Sequence, residues 1–364
     1  MVDILEIVQN IISKFITKYI KNILVLFIIF ISFNNLNGND NFDVRLKVII
    51  YFDHEIQINT QLKHPYFNKV NKLPKHTSRP VIEITQLKDD LLHLSSPNFT
   101  SLTKIGKRIS NSKRKELQNA KNALSVRFAY PKDILFSSLK KANKTIYNIA
   151  KKYNGLIWDI ETKEILTAKQ WRKKRLHKDI GKIPLVENHI SINTFKKNKK
   201  NIAITLGMSK FGQPDILIKD YTITNHQAIK NLLNLISQSL IEGQKVSRNL
   251  NIDLNMISNK DFVNRIFQIR KDKNLNISIP IAMGHWEEDF SNNYIIEILF
   301  DHIKGKSLKE KQRKLISEIF GLEDEIFEIE YDKIIHKYIN SPKQKESEKL
   351  NEIDPHNITS LSFN

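Results

Sequence analysis

The segment from Ala123 to Ile160 constrains the fold more than any other part of the chain. Ala123 to Tyr130 alternates apolar and polar residues as a half-buried strand does, and Pro131 breaks it. Asp133 stands where an N-cap carboxylate faces the free amides of a new helix. Ile134, Leu135, Leu139, Ala142, Ile146, Ile149 and Ala150 then fall on one helical stripe, which Asn154-Gly155 stops. Leu156 to Ile160 is the next strand, and Thr167 caps a further helix that contains Trp171. Strand, helix, strand in this order is a βαβ or split-βαβ element, which requires a helix layer on a sheet.

The same reading extends outward. Val44 to Phe52 and Val81 to Ile84 are strands in a β-rich but irregular region, and Lys113 to Asn122 is a short helix. His189 to Phe195 and Asn201 to Met208 form a hairpin across a Lys/Asn-rich turn, and Pro214 to Ile218 is another strand. Asn225 caps a long helix with the stripe Ile229, Leu232, Leu233, Leu235, Ile236 and Leu240, ended by Gly243. Asp261 to Arg270 is helical, Ile277 to Met283 and Tyr294 to Phe300 are strands, and Leu308 to Phe320 is a helix. The expected class is α+β: two α/β sandwich-like units with split-βαβ (ferredoxin-like) character and mostly antiparallel sheets. The expected organisation is an N-terminal segment 1–38, a β-rich region 39–110, an α+β domain 111–245, a C-terminal α+β region 246–340 and a polar tail 341–364.

Lys14, Lys18 and Lys21 precede an uncharged apolar run from Ile23 to Ile31, and Asn34 to Asp40 follow as a mostly small and polar exit. A basic flank, a short apolar core and a polar exit are the parts of a signal peptide. The core is short of the roughly 20 residues that span a bilayer as a straight helix. Cleavage after Leu36-Asn37-Gly38 gives a periplasmic or exported protein, and the alternative is an inner-membrane anchor through residues 23–33. The chain has no cysteine, which excludes disulfides, thiolate metal sites and Cys nucleophiles.

The formal net charge is +19, from 58 Lys and Arg against 39 Asp and Glu. Basic clusters lie at Lys104 to Lys115, Lys169 to Lys178 and Lys304 to Lys314. They match either an anionic partner or a composition rich in Lys, Asn and Ile with solvated helix faces. Only Trp171 places an aromatic within a basic stretch, so nucleic acid is disfavoured, and an anionic membrane surface is kept as a partner beside an envelope ligand or protein.

From Ala123 to Ile335 the chain resembles a bacterial family of unknown function, predicted to be exported or envelope proteins. The resemblance rests on Gly155-Leu156-Ile157-Trp158-Asp159, on Thr167 to Arg172, and on Leu206 through Asp215. Asn225-His226, Glu287-Glu288-Asp289 and Asn293 to Ile298 add to it. Longer relatives look as if they continue into a small YegJ-like domain, which is not expected here. The resemblance implies the fold and export, and no reaction.

Candidate ligand-binding residues follow from residue type. Gly207 and Gly212 permit backbone conformations closed to other residues, so the loop to Asp215 either offers amides and an apolar floor of Met208 and Phe211 or is a tight turn. Trp158 and Asp159, with Trp171, form either a pocket wall or core anchors. His226 at a helix start is either an anion or acid–base group or a capping-region residue. His285 to Asp289 is either a hard-cation site or a solvated acidic turn. Gly305-Lys306-Ser307 lacks the earlier P-loop glycine, because Phe300 stands there. With no His-Glu-x-x-His or Gly-x-Ser-x-Gly motif, no metal or cofactor is expected. The leading expectation is a non-enzymatic binding module of the envelope. The alternatives are an enzyme using Asp159, His226 or Asp215, and a basic protein that binds anionic lipid or nucleic acid.

Overall fold

A computed structural model describes residues 44–56, 64–88, 97, 110–176, 183–221, 226–246, 249–266, 276–284, 293–300 and 303–320. The N-terminal segment, the tail, Asn225 and the His285 to Asp289 cluster lie outside the described residues.

The strand–helix–strand element forms as its pattern dictates. Strand β1 (Val44–Phe52) is flanked by β4 (Asn122–Tyr130) and β5 (Leu156–Asp159), both antiparallel to it. Helix α2 (Leu135–Lys152) connects β4 to β5, which gives a split βαβ around β1. Leu135, Leu139, Ala142, Ile146 and Ala150 are buried against Val44, Leu46, Val48, Ile50 and Phe52 in the main core. Asp133 does not cap this helix: it sits inside a 3-10 turn, Lys132–Ile134, and Ile134 takes the cap position without a side-chain bond. At the other end Asn154 takes the left-handed conformation (φ 49°) and the Gly155 amide donates to Ala150 O. Gly155 is required by packing instead, since a Cβ there would lie 2.6 Å from Phe52 Cε1 and 2.7 Å from Ile50 Cγ2.

Strands β2 (Asn68–Lys69), β3 (Val81–Leu87) and β6 (Glu164–Thr167) complete a six-stranded sheet of order β2-β3-β4-β1-β5-β6. Its opposite face buries Ile49, Tyr51 and Leu156 with Leu117 of α1 (Asn111–Gln118). Thr167 caps α3 (Ala168–Arg175) through a capping box with Gln170, and α3 lies against α2, where the Trp171 indole donates to Asn143 O at 3.1 Å.

The second sheet has the order β10-β11-β12-β9-β8-β7. Strands β7 (Ser191–Lys197) and β8 (Lys200–Leu206) meet at Asn198 and Lys199, both with positive φ (51° and 65°), as a two-residue type I′ hairpin turn requires. Strand β9 (Asp215–Lys219) pairs antiparallel to β8 and parallel to β12 (Ile295–Ile298). Strands β10 (Asn249–Asp253) and β11 (Asn276–Gly284) fill the other side. Helix α4 (His226–Ile241) contributes Ile229, Leu232, Leu233, Leu235, Ile236 and Leu240 to the main core. Helices α5 (Lys260–Ile266) and α6 (Leu308–Phe320) complete the described α-helices.

The fold is α+β with mostly antiparallel sheets, as expected; the parallel pairs are β2–β3 and β9–β12. Neither sheet repeats the ferredoxin-like order. The expected boundaries at 110 and 245 fall within sheets: β1 to β3 pair with β4 to β6, and β10 to β12 continue β7 to β9. The described residues belong to one compact unit. Among them, no helix is long and apolar enough to cross a membrane.

Candidate functional site

The loop between β8 and β9 is where the chain departs most from regular structure. Gly207 (φ 107°) and Gly212 (φ 63°) bracket a 3-10 turn, Met208–Phe211. Both are left-handed positions that favour glycine. Gly207 also needs the space, because a Cβ would lie 2.7 Å from Thr162 Cγ2 in the β5–β6 turn. The loop therefore grips that turn. Ser209 Oγ donates to Glu161 Oε2 at 2.7 Å, and Lys210 Nζ donates to Asp159 Oδ2 and, at 3.0 Å, to His189 O. Met208 and Phe211 are buried, and Phe211 meets the His189 ring edge-on with centroids 5.7 Å apart.

Asp159 is the hub. Its Oδ1 accepts from the Thr162 amide at 3.3 Å, and its Oδ2 accepts from Lys210 and, at 2.8 Å, from Arg175 Nη2. Arg175 Nη2 also donates to Thr162 Oγ1 and Glu164 Oε2, while Nη1 donates to Asn188 O. Glu164 is further paired with Lys174. The Asp159, Lys210 and Arg175 side chains are at most 2 % exposed, so this is a buried ion cluster and not a surface ion pair.

Burial sets the electrostatics and the charges answer it. Burial alone would raise the Asp159 carboxyl, but the Lys210 and Arg175 charges outweigh it and hold the acid below the usual carboxylate range. Burial lowers Lys210 to about 8, with Asp159 restoring part of the loss and Arg175 opposing it. His189 lies well below its ordinary value, first through burial and then through the positive Arg175 and Lys210. Its Nδ1 is buried without a hydrogen-bond partner. A lysine lowered toward neutrality is the type that serves as base or nucleophile. Lys210, however, donates to Asp159 and to the His189 carbonyl and is buried at 1 % exposure.

Asp215 closes the far side of the loop. Its Oδ1 accepts from the Met208 amide at 3.2 Å and from Thr205 Oγ1 at 3.4 Å, and its Oδ2 accepts from Asn293 Nδ2 at 3.3 Å. The structure thus brings Asp159, Gly207, Met208, Phe211, Gly212 and Asp215 together around one turn, mostly facing inward. Trp158 is not among them. Strand alternation turns it to the opposite face of β5, beside the cluster around Leu117, so Trp158 and Asp159 do not wall one pocket. Trp171 is fully buried. His226 opens α4, and its side chain lies outside the described groups.

Arg175, Glu164, Thr162 and His189 were not singled out by sequence reasoning. Arg175 is hidden inside the basic run Lys169 to Lys178, where its neighbours Lys169, Arg172 and Lys173 are exposed. Its one sequence signal is its place four residues after Trp171, on the same buried face of α3. Among the described residues, no group of His, Asp and Glu could hold a metal ion. No family model, no curated protein and no solved structure matches the chain.

Proposed function

We propose that the chain is an exported protein of the bacterial envelope, related to the family it resembles, and acts as a non-enzymatic binding or interaction module. The observation that supports this reading is the engagement of both candidate acid–base carboxylates. Asp159 is spent on two buried cations, and Asp215 on a backbone amide, a hydroxyl and an amide side chain. General acid–base work needs a group that can reach a substrate in one cleft. Here the carboxylates build the loop, and the outward residues carry whatever recognition the protein performs. The basic flank and apolar run Lys14 to Ile31 support export.

The test is Asp215→Asn, which keeps the shape and removes the charge. Loss of a charge-assisted bond to a buried amide costs about 1.5–3 kcal/mol, so the variant melts lower than the wild type. An unchanged melting temperature would return Asp215 to the acid–base candidates and overturn the reading. Cell fractionation with mass mapping of the N-terminus tests the address: a soluble periplasmic form beginning near Asn39 is expected, and an intact Met1 in the cytosol refutes export.

A further inference from the structure

The outward face of α2 and its neighbour α3 carries a one-signed charge pattern. No acidic residue occurs from Ile134 to Trp158 or within α3. At 100° per residue, Lys140, Lys144 and Lys151 fall within ~40° of arc along about 16 Å of helix, and all three are exposed. Lys169, Arg172 and Lys173 are exposed on α3, which is fixed beside α2 by the Trp171–Asn143 bond.

The flanks of α2 are filled. On one side lies α3. On the other, residues 64–67 are tied down by Tyr66 Oη to Ser138 Oγ (2.9 Å) and His64 Nε2 to Thr145 Oγ1 (2.9 Å), with Lys141 Nζ 3.4 Å above the Tyr66 ring. The exposed arc of α2 thus lies between two filled flanks and is not a free-standing helix of the kind that enters a DNA major groove about 12 Å wide. The aromatic expected within the basic run, Trp171, is buried and offers no base-stacking platform. Five of the six charges are lysines, point charges without the bidentate fork that reads phosphate or guanine geometry.

Resting on the envelope reading above, we infer that the α2–α3 face docks the protein on an anionic lipid bilayer. The partner is a planar array of phosphate headgroups, and the attraction is the sum of near-surface lysines rather than a pocket. It is screened as the Debye length falls from about 10 Å at 0.1 M salt to about 3 Å at 1 M.

The experiment uses the full chain with vesicles of phosphatidylcholine alone or mixed with phosphatidylglycerol. Lys140→Gln/Lys144→Gln/Lys151→Gln is compared with Lys196→Gln/Lys197→Gln/Lys199→Gln, which removes equal charge from the β7–β8 turn. The expected result is binding to the mixed vesicles only, lost at 1 M salt. The α2 triple weakens it roughly 100-fold, about fivefold per lysine, and the hairpin triple only severalfold. Both triples alter exposed positions, and unchanged melting temperatures confirm that they fold. Equal binding to neutral vesicles, equal losses in the two triples, or tighter binding to duplex DNA than to vesicles at the same salt overturns the inference. Substrate turnover by the wild type would overturn the envelope-module reading instead, whichever vesicles bind.

Discussion

Replacing Asp159 by Asn should unfold this protein at a markedly lower temperature. The substitution keeps side-chain shape but leaves Lys210 and Arg175 buried beside each other, with Glu164 as the remaining carboxylate in contact with Arg175. Removing one partner of a buried ion pair costs about 3–5 kcal/mol, against a total stability of about 5–15 kcal/mol for a domain. At about 2–4 °C per kcal/mol for a domain above ~150 residues, the melting temperature falls by about 6–20 °C. Circular dichroism melts of the two proteins, supported by urea titration, measure it. The pH dependence supplies a second readout. The folded Asp159 carboxyl lies below its unfolded value of about 3.9, so its contribution is complete above that value and is lost as pH falls toward the folded one. The gap between wild type and Asp159→Asn therefore narrows in acid. A variant that melts within about 2 °C of wild type at neutral pH, or a gap that widens in acid, would refute the view that the cluster carries its charges as ion pairs.

Two further outcomes follow from the same region. His189 is held neutral in the fold but takes up a proton near pH 6.5 when unfolded, so stability falls below about pH 6.5 by up to ~1.4 kcal/mol per pH unit. His64 adds in the same direction, because burial lowers it and its Nδ1 accepts the Tyr66 and Phe67 amides. His189→Gln should flatten the slope between pH 6.5 and 5 without abolishing it, and an unchanged slope counts against a buried neutral imidazole. Gly207→Ala should destabilise by about 1–3 kcal/mol, from its positive φ and the Thr162 contact. Gly243→Ala, with positive φ but nothing within 4 Å, isolates the backbone part, and equal melting temperatures for the two variants would remove the contact from the account.

What could be read from the sequence was local, and what could not was distant. The α2 stripe, the Thr167 cap and the β7–β8 hairpin each depend on residues within a turn or two of one another, and each formed. Strand β6 was missed because Glu164-Ile165-Leu166-Thr167 is too short to show a period and runs directly into the Thr167 cap. Arg175 read as a solvated lysine-type residue, since its partner Asp159 lies 16 residues away and the other cation on that carboxylate, Lys210, is 51 residues away. The glycines of the loop were legible as special backbone positions. That their turn would face inward was not, because the direction of a loop is set by what receives it, here the Glu161–Thr162 turn and the edge of β1 at Val44.

The insertion of β1 between β4 and β5 also bears on how the chain reaches its native state. Val48 pairs with Val126 and with Asp159, partners 78 and 111 positions later in sequence. Closing a loop of that length costs about 2 kcal/mol more than closing a ten-residue hairpin. Strands β4 and β5 run parallel but do not bond to each other, so the centre of the first sheet closes only when β1 lies between them. The first sheet's centre is therefore completed only once residue 159 has been made, and its long-range pairings make it a slow element to assemble.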